Sequence, residues 1–172
     1  AVGLSVLHPE KGEEIPARRS PAQLQVILYN LSQAQANGKS PVIDHLHQIA
    51  ESIKSRAQLL IYSDFLEDPK SVANVIHHMR ERKHEVVLFH IMDRQEVEFV
   101  FDRPTRFIDL EGGPSILTET NIIRDDYLKQ MGKHLEEIRK ICTESQCSHY
   151  FTVTDSKVDD ALREFSFERT QA

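Results

Sequence analysis

Four short segments of the chain are dense in apolar residues and have the length of buried β-strands. They are Val2–Leu7, Gln58–Tyr62, Glu85–Met92 and Tyr150–Val153. The second and third contain continuous apolar runs, Leu59-Leu60-Ile61 and Val86-Val87-Leu88-Phe89. Such runs are typical of parallel strands that are covered on both faces, so the pattern predicts a parallel sheet.

Between these strands, apolar residues recur every three or four positions, as they do along one face of a helix. The predicted helical stripes are Leu24, Ile27, Leu28 and Leu31; Val42, Leu46, Ile49 and Ile53; Val72, Val75, Ile76 and Met79; Leu128, Met131, Leu135 and Ile138 within a helix from about Ile123 to Cys142; and Val158, Leu162 and Phe165 in a last helix. Three helix starts carry an N-cap residue followed by proline, at Ser20-Pro21, Ser40-Pro41 and Asp68-Pro69.

One region interrupts the alternation of strands and helices. The segments Val97–Phe101 and Thr105–Asp109 flank Asp102-Arg103-Pro104, a pattern that predicts two strands joined by a turn. The whole pattern predicts an α/β fold: a doubly wound, mostly parallel sheet with helices on both faces and a small antiparallel hairpin insertion. The length of 172 residues predicts a single domain over residues 1–172. Because the first strand follows Ala1 at once, we expect this domain to be partial, truncated at the N-terminus.

Composition narrows the functional classes. The net charge is −6, and no basic stripe with interleaved aromatic residues occurs, so we do not expect nucleic-acid binding. No apolar run approaches the ~20 residues of a membrane span, and we expect no signal peptide. Cys142 and Cys147 are separated by four residues, which fits neither a C-x-x-C redox pair nor a zinc knuckle. Reduced thiols and a cytoplasmic location are the prediction.

Two polar residues are candidate metal ligands. Asp64 directly follows the predicted strand Gln58–Tyr62 and Ser63, and Ser40 precedes a helix that leads to that strand. Ligands of open α/β sheets bind beyond the carboxyl ends of the strands, and Mg²⁺ prefers carboxylate and hydroxyl oxygens. The alternative is that Asp64 only orders its own loop and Ser40 only caps a helix.

Nothing in the sequence indicates catalysis. It contains no G-x-S-x-G elbow, no Walker A loop and no G-x-G-x-x-G fingerprint. The nine histidines form no metal-binding motif, so we expect them to be solvated or structural. Glu96 and Glu98 are interpreted as one wet strand face near Asp109 and Glu111, although paired carboxylates can also perform acid–base chemistry. We therefore expect a binding module and not an enzyme.

Several stretches resemble one known family, the MoxR-associated, von Willebrand factor A-like proteins of unknown function. The resemblance rests on Leu59 to Phe65, on Arg80 to Val87, on a D-x-x-E-x-x-F-x-F motif at Asp93 to Phe101, on an F-x-D-x-E-x-G motif at Phe107 to Gly113, and on Arg124 with Tyr127. It extends from about residue 2 to 168, and the stretch from Asp93 to Gly113 is its most specific part.

The resemblance implies a von Willebrand factor A-like fold with a metal-ion-dependent adhesion site. By position, Ser40 resembles the threonine of that site and Asp64 its last aspartate. The Asp-x-Ser-x-Ser motif of the first strand is absent from these residues, and Lys39 adds a cation beside the site. The site is therefore expected to be incomplete, with Mg²⁺ binding weak or absent.

The resemblance also implies a partner, a MoxR-type AAA+ ATPase, with the pair acting in assembly or maturation of other complexes. Two alternatives remain open. One is a metal-dependent hydrolase that uses Asp64 in the same crevice. In the other, the crevice is vestigial and the hairpin face around Phe99 and Phe101 alone binds partners.

Overall fold

The structure is a computed structural model that describes residues 1–7, 13–34, 42–108 and 113–157, together with 159, 162, 163, 165 and 166. These residues belong to two compact units. The first lies within Ala1–Leu46 and Arg106–Ile116, and the second within His47–Thr105 and Leu117–Ala172. The prediction of one domain over residues 1–172 stays a prediction.

The first unit contains a two-stranded antiparallel sheet and a helix. Strand β1 (Val2–Val6) pairs with β2 (Glu13–Arg18), and helix α1 (Gln23–Gln33) follows. The Gln23 amide nitrogen is buried with its side chain and donates hydrogen bonds of 3.0 Å to the carbonyls of Val2 and Pro16. This side chain therefore ties the helix to both strands.

The placement of the first strand in the parallel sheet is wrong. The strand forms as predicted, but its partner is the polar segment β2, whose composition gave no strand signal, and β1 is largely exposed. The predicted Ser20 cap is also wrong, because Ala22 is the N-cap of α1 and makes no side-chain cap bond. Of the predicted α1 stripe, Ile27 is buried, whereas Leu24, Leu28 and Leu31 are exposed.

The second unit contains the parallel sheet that the apolar runs predict. Its strand order is β3 (Gln58–Ser63), β4 (Glu85–Met92) and β7 (Ser148–Val153), with both pairings parallel. Helix α3 (Pro69–Glu81) connects β3 to β4, and helix α5 (Thr120–Glu144) precedes β7. Helix α2 (Val42–Ser52) precedes β3. The α/β class with a parallel sheet is thus confirmed.

The two faces of this sheet have different cover. Helices α3 and α5 pack against each other. In addition, α3 packs against β4, and α5 packs against β7. The core on this side includes Ile76, Met79, Leu88, Ile138 and Cys142, all almost completely buried. Side chains alternate along a strand, so Val87 and Phe89 point to the other face, where Tyr150 and Phe165 pack on them. Leu162 and Phe165 are helical as predicted, and Val158 lies outside the described residues.

The predicted strand over Val97–Phe101 is wrong. A short helix, α4 (Arg94–Glu98), occupies its first half. Asp93 caps this helix, and the Glu96 side chain accepts a hydrogen bond from the Asp93 backbone, which completes a capping box. The D-x-x-E spacing that marks such a box was present in the sequence, and it overrides the alternation of Val97, Phe99 and Phe101.

The small hairpin consequently pairs differently from the prediction. Strand β5 (Thr105–Phe107) forms a two-stranded sheet with β6 (Ile116–Thr118), a segment not predicted as a strand. Asp109 and Glu111 lie outside the described residues. In the described part of the chain, no helix combines the length and the apolar character that crossing a membrane requires.

Helices α3 and α5 end in the same way. Each is followed by a non-glycine residue with positive φ, Lys83 at 65° and Gln146 at 53°. The next residue then donates its backbone N–H back into the helix, from His84 to Met79 at 3.0 Å and from Cys147 to Cys142 at 2.8 Å. This is the Schellman ending, and it turns the chain sharply into the following strand. At the other end of α3, the predicted Asp68 cap with Pro69 behind it is confirmed.

Candidate functional site

Asp64 directly follows β3, as predicted, and its side chain is exposed at the carboxyl edge of the parallel sheet. This edge is where open α/β sheets bind their ligands. Ser40 lies outside the described residues, so the pairing of Ser40 with Asp64 stays a prediction. The described candidate site is therefore the turn formed by residues 63–66.

Two side chains order this turn from within. The Ser63 hydroxyl oxygen accepts a hydrogen bond of 3.1 Å from the backbone N–H of Phe65. The Asp64 carboxylate accepts a longer one, 3.4 Å, from the backbone N–H of Leu66. Both are local turns in which a side chain binds the backbone two residues later. Asp64 thus does order its own loop, and its side chain is exposed.

Phe65 has an unusual backbone conformation, with φ of 48°. A bulky residue in the left-handed region costs about 1–2 kcal/mol, so the surrounding structure must hold it there. The phenyl ring is buried and meets the edge of the His90 ring at 5.4 Å between centroids. From α5, the Nε2 atom of His134 donates a hydrogen bond of 2.8 Å to the Phe65 carbonyl. The turn is therefore held by its own side chains, by His90 of β4 and by His134 of α5.

A pair of histidines, His90 buried and His149 half-buried, lies beneath the turn. His90 is opposite Ser63 in the register of β3 and β4, and its Nδ1 is 3.2 Å from Nε2 of His149 on β7. Burial, together with repulsion from His149, lowers the pKa of His90 from 6.5 to about 4. Burial also lowers the pKa of His149. Both rings are neutral at pH 7, so one donates and the other accepts, and the pair is structural.

Of the two candidate metal ligands, the described part of the chain contains only Asp64. Within the described ranges, no group of three or more His, Cys, Asp or Glu side chains is placed to hold a metal ion. Asp64 contributes a single carboxylate, and the Ser63 hydroxyl is 3.4 Å from it. One carboxylate is far short of the six oxygen ligands that Mg²⁺ requires.

Glu96 and Glu98 belong to a structural junction between α4 and the segment that follows β7. Glu96 completes the cap of α4, and Glu98 forms an ion pair with Arg94 at 2.8 Å. Arg94 also binds Asp155 beyond β7 through two nitrogen–oxygen contacts. This bidentate pairing lowers the pKa of Asp155. The two glutamates are thus engaged in holding α4, and they do not form a wet strand face.

Arg124 and Tyr127 of α5 fix the other end of α4. The guanidinium of Arg124 donates to the carbonyls of Phe99 and Glu98 at 2.8 and 3.1 Å. Phe99 terminates α4 with φ of 47°, is buried, and stacks on Tyr127 at 4.2 Å between ring centroids. Phe99 is therefore a core residue, so its substitution would unfold this junction and would not test a binding face.

A network of hydrogen-bonded side chains between α2 and α3 was not predicted from the sequence. The Nδ1 atoms of His47 and His78 are 2.8 Å apart, and Nε2 of His78 is 2.8 Å from the Glu51 carboxylate. Arg82 pairs with the same carboxylate at 3.1 Å. The separation of His47 and Glu51 by one helical turn was the only available signal, since their partners are on another helix.

Most of the chain matches a known protein family. Residues 1–137 match the family described as "Protein of unknown function DUF58". No curated protein and no solved structure matches the chain. Because the matched stretch covers well over half of the 172 residues, the chain belongs to the DUF58 family of proteins of unknown function.

Proposed function

We propose that this chain is a protein-interaction module of the von Willebrand factor A type that works with a MoxR-type AAA+ ATPase. The pair would act in the cytoplasm, in assembly or maturation of other complexes. The observation that carries the proposal is the exposed Asp64 carboxylate, held at the carboxyl edge of a parallel sheet by a constrained turn. The choice of partner rests on the resemblance of the sequence motifs to the MoxR-associated family.

The rigidity of the turn favours binding over a purely local role. A loop that orders only itself needs no support from a distant helix, yet His134 of α5 anchors the Phe65 carbonyl across 69 residues of sequence. A group that is already ordered loses little conformational entropy when a partner binds it. Fixing Asp64 in advance therefore benefits an intermolecular contact.

The metal part of the proposal is modest. Asp64, with Ser40, would contribute to a metal-ion-dependent adhesion site, and the remaining ligands are not among these residues. We expect this chain alone to bind Mg²⁺ weakly, because two oxygen ligands leave most of the coordination shell to water. Calorimetric detection of Mg²⁺ binding at micromolar concentration would contradict this part.

The proposal is tested by the affinity of the purified chain for a MoxR-type AAA+ ATPase from the same source, measured by biolayer interferometry. Asp64→Asn keeps the size of the side chain and its acceptor for the Leu66 N–H while removing the charge. We expect this variant to bind at least about tenfold more weakly, a loss of roughly 1.4 kcal/mol.

The matched control is Asp126→Asn, an exposed carboxylate on α5. It changes the net charge by the same amount, so it should leave the affinity unchanged. Equal affinities of the wild type and both variants would contradict the role of Asp64. Equal losses in both variants would show that net charge, and not the turn, controls binding.

A further inference from the structure

Cys142 and Cys147 form a close pair of thiols at the junction of α5 and β7. Cys142 lies in the last turn of α5, and Cys147 comes directly before β7. Both are free and buried, with 1% and 8% of their surfaces exposed. The proposed binding function uses neither of them.

The Schellman ending of α5 brings these two residues together. The backbone N–H of Cys147 donates to the Cys142 carbonyl at 2.8 Å, and Gln146 makes the reversal with its φ of 53°. In this motif the first and last residues of the closed loop bring their side chains into contact. Here those side chains are thiols, and the Cys147 thiol donates a hydrogen bond of 3.5 Å to the Ser148 carbonyl oxygen.

The electrostatic surroundings distinguish the two sulfurs. The neighbouring thiol lowers the pKa of Cys142, whereas the neighbouring thiol and burial raise the pKa of Cys147. Arg80 of α3 is the cation that acts on Cys147. The Ser148 carbonyl oxygen holds the proton of Cys147, so Cys142 is the first of the pair to react with an oxidant as a thiolate, the reactive form of cysteine.

We infer that Cys142 and Cys147 are a peroxide-sensitive redox pair that closes to an intramolecular disulfide. The Cys142 thiolate attacks one oxygen of hydrogen peroxide; the O–O bond breaks, and hydroxide leaves and takes up a proton to become water. The resulting sulfenic acid is attacked by the Cys147 sulfur, which displaces a second water. In total, two thiols and one peroxide give one disulfide and two waters, with two electrons passing from sulfur to oxygen.

Burial selects the oxidant and the product. A small peroxide needs only a brief opening of the last helical turn, whereas a protein disulfide would have to displace the packing around both sulfurs. The same burial disfavours a bridge between two chains. Disulfide geometry requires Cα atoms roughly 4.4–6.8 Å apart, a separation that suits the two ends of a hydrogen-bonded Schellman loop. Cytoplasmic disulfides of this kind are usually transient sensors.

The full-length chain tests this inference directly. It is treated with hydrogen peroxide at neutral pH, quenched in acid, unfolded, alkylated with N-ethylmaleimide and weighed as the intact protein. We expect a monomer that has lost two hydrogen atoms and takes up no maleimide, and we expect dithiothreitol to restore both alkylation sites. Two alkylated thiols after a dose that oxidises free cysteine would overturn the inference, as would added oxygen atoms without a bridge or disulfide-linked dimers.

Two single variants test the order of reaction. In Cys147→Ser the sulfenic acid on Cys142 has no resolving thiol, so dimedone should capture it. Cys142→Ser should react with peroxide more slowly than Cys147→Ser. Equal rates would contradict the assignment of Cys142 as the attacking sulfur. The wild-type mass measurement decides the main claim even where a variant fails to fold.

Discussion

The Nε2 atom of His134 lies 2.8 Å from the carbonyl oxygen of Phe65. A carbonyl oxygen only accepts, so His134 is the donor, and the proton is on Nε2. The bond connects the middle of α5 to the turn that carries Asp64. It therefore couples the stability of the candidate site to the packing of the longest helix.

Replacing His134 should loosen this coupling. We expect His134→Ala to lower the free energy of unfolding by about 1–2 kcal/mol, because the strained Phe65 carbonyl loses its side-chain donor. Urea denaturation followed by circular dichroism measures the change. The control His77→Ala removes an exposed histidine from α3 and should have little effect. Equal stabilities of the two variants would show that the bond contributes nothing.

The buried His90 should make stability depend on pH. Its folded pKa of about 4 is below the ordinary 6.5, so the unfolded chain takes up this proton first as the pH falls. Stability is complete above pH 6.5 and decreases as the pH drops towards 4, by at most about 3 kcal/mol.

Urea denaturation at pH 7 and pH 5 measures this dependence. An NMR titration of the imidazole protons identifies the residue that is responsible. We expect the His90 signal to stay that of a neutral ring at pH 5. A midpoint for His90 near its ordinary value would refute the structural role of the His90–His149 pair.

The positive φ of Lys83 offers a route to higher stability. Lys83 is exposed and ends α3 in a conformation that glycine adopts without strain. Lys83→Gly should therefore raise the free energy of unfolding by up to about 1 kcal/mol, which a higher thermal midpoint would show. Ala73→Gly is the matched control, because it places glycine in the interior of α3 and should cost about 1 kcal/mol. If both changes are destabilising, the left-handed conformation at Lys83 is wrong.

The Arg124 clamp should be sensitive to a nominally conservative change. Its two nitrogens bind two successive carbonyls, a geometry that lysine cannot reproduce. We expect Arg124→Lys to lower the free energy of unfolding by roughly 1–3 kcal/mol. Arg139→Lys, at an exposed position of the same helix, should change it little. Calorimetric melting curves of the two variants that superimpose would argue against the clamp.

The parallel sheet was predictable because its strands carry apolar side chains on both faces. Leu88 and Phe89 point to opposite faces, and both are buried, so a continuous apolar run was an unambiguous signal. The pairing partner of β1, in contrast, could not be predicted from the apolar pattern. The apolar residues of β1 pair with a polar partner, and composition does not reveal which segment a strand will meet. At Asp93, the capping box was a local signal that outweighed the alternating pattern.

The candidate site was predictable only in part. The position of Asp64 followed from the end of β3, since a polar residue after a buried strand lies at the sheet edge. The support from His134 depends on α5 folding back over the sheet, a contact between residues far apart in sequence. The same holds for the His90–His149 and His47–His78 pairs, because spacing along the chain carries no signal for contacts between separate elements.

If the Asp64 turn binds the partner, the partner must contact the chain at residues 63–66. Hydrogen–deuterium exchange, measured with and without saturating MoxR-type AAA+ ATPase, locates that contact by mass spectrometry. We predict protection concentrated in peptides that contain residues 63–66, with the α4 junction around Arg94 unchanged. Unaltered exchange in the Asp64 turn, combined with protection elsewhere, would contradict the account.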